Sequence, residues 1–107
     1  MKAYLIDPVA KTVTEIDHDE NLTSILEYDT FEVVSRLVGT GIRDALIVDG
    51  DRQDEKFRKE RGAFMFKGKD QAIIGKAVYS GHTIDGEMCD PKLPLERMKR
   101  LMSFIDT

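Results

Sequence analysis

The sequence has no second cysteine. Cys89 stands alone, so no intramolecular disulfide can form, and that usage fits a reducing cytoplasm. Long apolar runs are missing too. The longest, such as residues 45–48, spans four residues, whereas a membrane-spanning helix needs about 18–20. The apolar stretch after Lys2 stops at Asp7 and Pro8, so the N-terminus does not read as a signal peptide. Nor is there a basic excess. A net charge of −4 argues against bulk nucleic acid or an anionic membrane as the main partner.

What is present suits one domain over residues 1–107, since domains commonly run to about 100–200 residues. Apolar residues make up 41% and charged residues 34%, too hydrophobic for disorder and too interrupted for a membrane. The charge is segregated. Residues 1–51 hold four basic against eleven acidic residues, a balance of −7; residues 52–107 hold twelve against nine, a balance of +3. Residues 52–69 alone carry seven basic and three acidic residues. That segment reads either as a solvated charged face or as an anion site with Arg58 and Arg61 as donors. The guanidinium fork matches phosphate and carboxylate oxygens. Opposed charge on two halves also allows copies to pair.

Residues 2–7 and 12–16 alternate as strands joined by a short turn, which predicts an N-terminal hairpin. Asn21 suits a helix N-cap ahead of a short helix over 22–28. Residues 31–38 alternate with period two, and Gly39 and Gly41 mark a turn. Residues 44–49 form an apolar run bounded by Asp44 and Asp49, the pattern of a central strand buried on both faces. Residues 51–61 read as loop with a helical turn. Residues 62–66 and 72–79 have strand composition, with Gly75 implying a bulge or a close backbone approach. Residues 81–94 read as an irregular loop. Pro94 then opens a helix to about residue 105, with Leu95, Met98, Leu101, Met102 and Ile105 at 3–4 spacing. The expected fold is α+β: a mainly antiparallel sheet, a short helix in the N-terminal half and a longer C-terminal helix. Leu95, Met98, Met102 and Phe104 would give that last helix a broad apolar surface suited to a homodimer interface.

No motif carries chemistry outright. His82, Asp85, Glu87, Cys89 and Asp90 are metal-ligand types, yet their spacing matches no zinc pattern, and no metal or cofactor is expected. Asp49, Asp51 and Glu60 fit a calcium-loop template, but Gln53 is a poor ligand and Asp54 stands where the turn needs glycine. Gly39 and Gly41 lack phosphate-loop spacing. Phe64 and Phe66 do not have the spacing of an RNA-recognition strand and read as core. Cys89 sits near Glu87 and Asp90, a poor setting for a thiolate paired with His82.

Met1-Lys-Ala-Tyr-Leu-Ile-Asp-Pro8, Thr12-Val-Thr-Glu-Ile16, Asp29-Thr-Phe-Glu-Val-Val34, Asp44-Ala-Leu-Ile-Val-Asp49 and Ile74-Gly-Lys-Ala-Val-Tyr-Ser-Gly81 occur in that order. Together they resemble a family of short bacteriophage and mobile-element proteins grouped as a domain of unknown function. The resemblance covers roughly residues 1–81. It implies a phage accessory protein acting in the host cytoplasm, and it transfers no catalytic residues. The leading expectation is a non-enzymatic protein that binds a host protein or a small anionic ligand, with Arg58, Arg61 and His82 as donors. Nucleic-acid association through residues 52–69 is the second reading. A small hydrolase or transferase using the 82–90 loop is the third.

Overall fold

The computed structural model describes residues 1–17, 31–39, 42–50, 53–83, 85 and 87–105. Strand β1 (Lys2–Asp7) pairs antiparallel with β2 (Thr12–Asp17). Their turn follows from local chemistry. Asp7 accepts hydrogen bonds from the N–H groups of Val9 and Ala10 at 3.1 and 3.2 Å, beside Pro8, and Lys11 takes a left-handed φ of 56°. Strands β3 (Phe31–Gly39) and β4 (Ile42–Asp49) form a second antiparallel pair, with a register shift between Val33 and Ser35. The predicted 22–28 helix lies outside the described residues.

The chain then leaves this sheet. Asp54 accepts the Lys56 N–H at 3.2 Å and starts a 3₁₀ turn (Glu55–Phe57) that runs into helix α1 (Arg58–Arg61). Strands β5 (Ala63–Phe66) and β6 (Ile73–Ile74) pair with each other. Strand β7 (Ala77–His82) returns to the first sheet between β1 and β4, and β8 (Met88–Cys89) pairs with its end. Helix α2 (Leu95–Lys99) and strand β9 (Met102–Ile105) complete the described chain. The large sheet runs β2-β1-β7-β4-β3, and the small one β6-β5-β9.

The α+β expectation is overturned. The fold is mostly antiparallel sheet, and helix among the described residues is confined to two short pieces. The predicted C-terminal helix stops at Lys99, and residues 102–105 become a strand. The cause is tertiary. Strand β5 offers an open edge, and β9 takes it with Phe64 opposite Phe104 and Phe66 opposite Met102. A helix of this length is marginal in water without packing, whereas the ladder satisfies the backbone and turns Met102 and Phe104 toward the core. Part of the 81–94 loop likewise becomes β8.

One core joins the two sheets. Cross-strand register lines up Tyr4, Tyr79 and Leu46 in one row and Ile6, Ala77 and Val48 in the next. Phe64, Phe66 and Ile73 of the small sheet, with Leu93 and Met98, close over these rows. The intervening residues Ile47 and Val78 point to the opposite face and are also buried. The central placement expected for residues 44–49 therefore holds: β4 lies between β7 and β3 and is buried throughout 44–49. No helix among the described residues is long and apolar enough to cross a membrane.

Candidate functional site

Two buried carboxylates organise the polar interior. Asp44 accepts hydrogen bonds from the Tyr79 hydroxyl at 2.9 Å, from the Lys92 N–H at 2.9 and 3.0 Å, and from the Leu93 N–H at 3.0 Å. The Tyr4 hydroxyl donates to the Leu93 carbonyl at 2.6 Å, and the Tyr4 and Tyr79 rings stack with centroids 5.9 Å apart. This network pins the segment before α2 onto the large sheet. Burial raises the pKa of the Tyr79 phenol, and the hydrogen bond to Asp44 raises it further; Tyr4 is raised chiefly by burial, then by Glu15. A phenol whose folded pKa exceeds its unfolded value contributes stability that is complete below about pH 10 and is lost as pH rises beyond it. Alkaline urea titrations are expected to show stability falling above about pH 10, with a shallower fall in Tyr79→Phe. An equal slope in the variant would refute the assignment.

Asp49 anchors the other joint. Arg61 reaches it at 3.3 Å, with side-chain exposures of 10% and 1%. Gln53 donates to the carbonyls of Asp49 and Ile74 at 3.0 and 2.8 Å and accepts the Ile74 N–H at 2.9 Å. Gly75 has φ 84°, and a Cβ there would sit 2.9 Å from an Arg61 guanidinium nitrogen. The glycine thus marks a close approach, as its place in the sequence implies.

The three predicted donors do not converge. Arg61 belongs to the Asp49 joint. Arg58 meets Glu55 at 3.2 Å beside a cavity formed with Asp70 and Gln71. His82 ends β7 in the large sheet, whereas Arg58 and Arg61 both lie on α1. The enzyme reading fares worse. Gly81 pairs with Cys89 and His82 with Met88, so thiol and imidazole fall on opposite faces of the ladder. Asp90 accepts the Lys2 N–H at 2.7 Å. Among the described residues no three His, Cys, Asp or Glu side chains gather as a metal site. The four residues expected at a dimer interface divide between two elements, Leu95 and Met98 on α2 and Met102 and Phe104 on β9, and Met98 is wholly buried.

A groove of about 460 Å³ runs between β2 and β9. Its lining among the described residues combines Val13, Met102 and Phe104 with the hydroxyl residues Thr12, Thr14 and Ser103, and it carries Lys11 and Lys99. Lys99 also meets Glu96 at 3.5 Å. Both strands are outermost in their sheets among the described residues. Sequence reasoning missed this pair of lysines because no local signal joins a residue in the first turn to one in the last helix.

No family model, curated protein or solved structure matches this chain, so the phage-type resemblance rests on the residues quoted for it.

Proposed function

We propose that this chain is a non-catalytic binding domain that holds an acidic, extended segment of a protein partner in the groove between β2 and β9. The observation that carries the reading is that Lys11 and Lys99 line the same groove as the apolar residues Val13, Met102 and Phe104. An extended segment presents alternate side chains to opposite sides, so one row meets Val13, Met102 and Phe104 while acidic residues reach the lysines. Among the described residues both strands are outermost, and an outermost strand can pair with an added one. The nucleic-acid reading is weaker, since Arg58 and Arg61 of the basic segment are both engaged by carboxylates.

The test uses a fluorescently labelled peptide alternating glutamate and leucine, read by anisotropy at low salt. Saturable binding is expected, weakened about tenfold by the double change Lys11→Glu and Lys99→Glu, which removes two partly exposed ion pairs. A peptide alternating lysine and leucine should not compete. Equal affinity of the double variant, or no saturation with the wild-type chain, refutes the reading.

A further inference from the structure

We propose that the cavity beside Arg58 binds the zwitterionic head of a free α-amino acid, with the guanidinium taking the carboxylate and Asp70 with Glu55 taking the ammonium. The cavity measures about 440 Å³, within the range of small-molecule sites, about 300–1,000 Å³. It lies where the 3₁₀ turn meets the β5–β6 connection and, among the described residues, shares no lining residue with the β2–β9 groove.

Arg58 is held but not saturated. Its Nη1 meets Glu55 at 3.2 Å, which fixes the side chain at one-third exposure. Its Nε is buried and has no protein acceptor. A buried donor left unmatched is costly, and the Nε and Nη2 donors of a guanidinium lie side by side, so together they can take one carboxylate. The mixture of charges in the lining decides the ligand. A simple anion entering here meets Glu55 and Asp70; a simple cation meets Arg58. Only a molecule bearing both charges a few atoms apart is matched at each end, and an α-amino acid separates them by a single carbon. Gln71 contributes an amide, while Met65 and Ala72 supply apolar surface for a side chain. Gln53, already bonded to Asp49 and Ile74, forms a fixed wall.

Calorimetric titration of the twenty free α-amino acids tests the assignment, followed by the N-acetyl and α-amide forms of any binder. At least one amino acid is expected to bind with Kd of about 1 mM or tighter, and each blocked form to lose about tenfold. Arg58→Gln and Asp70→Asn, with folding verified by circular dichroism, should each weaken binding about tenfold. The Lys11→Glu, Lys99→Glu variant should bind as wild type, which separates this site from the peptide groove. The proposal is overturned if no amino acid gives a saturable heat, if blocked forms bind equally, or if either single variant leaves affinity unchanged.

Discussion

Replacing Asp44 by alanine is expected to lower the free energy of unfolding by about 3 kcal/mol. The carboxylate is fully buried and is the shared acceptor for one hydroxyl and two backbone N–H groups. Alanine leaves the buried Tyr79 hydroxyl and Leu93 N–H, and the part-buried Lys92 N–H, without their acceptor, and a buried polar group without a partner costs about 1–3 kcal/mol. The loss should be local before it is global. Amide exchange at Lys92 and Leu93 should accelerate more than at β4 or β7, because these two N–H groups bond directly to Asp44. Asp44→Asn keeps one acceptor oxygen and should cost less. Tyr79→Phe deletes a single bond and should cost about 1 kcal/mol. Urea denaturation with an unchanged slope measures each change. If Asp44→Ala matched Tyr79→Phe in stability, the three-donor account would fail.

Arg61→Met should cost about 3 kcal/mol as well, through a different cause. It removes the guanidinium from beside a carboxylate that is 1% exposed, and stripping one member from a buried ion pair leaves an ill-compensated charge. Asp49→Asn in the same chain should recover part of the loss, since the neutral amide no longer needs a cation. The double-mutant cycle measures that coupling directly. Additive costs would show that Arg61 acts only through packing over Gly75. The ion pair holds the last residue of α1, whose first residue, Arg58, lines the cavity beside it.

Much of the sheet was legible because its signals are local. Residues 2–7 and 12–16 alternate, Asp7 and Pro8 dictate the turn between them, and the described hairpin follows. The apolar run bounded by Asp44 and Asp49 announced a strand buried on both faces. Gly75 announced the close approach that Arg61 makes. The bounding acids were harder. They read as strand ends, yet both are buried and bonded to residues far along the chain. The C-terminal segment misled for a related reason. Leu95, Met98, Leu101 and Met102 do have helical spacing, but Met102 and Phe104 also alternate around Ser103, and only the open edge of β5 favours the second pattern.

The candidate sites show the same division. Arginine-rich composition pointed to Arg58 and Arg61 together; three dimensions assign Arg61 to an internal ion pair and leave Arg58 at a cavity. Lys11 and Lys99 stand near opposite ends of the chain and come to one groove only because the tertiary fold places both at its lining.

By itself, the order of residues determined strands β1 to β4 and the turn between β1 and β2, since side-chain alternation and turn chemistry act over a few residues. The tertiary structure decided the end of α2, the pairing of β9, the partners of Asp44 and Asp49, and the placing of the two lysines at one groove. Those outcomes depend on which unsatisfied edge or buried charge comes within reach after the chain has crossed between sheets, and no short-range pattern encodes that meeting.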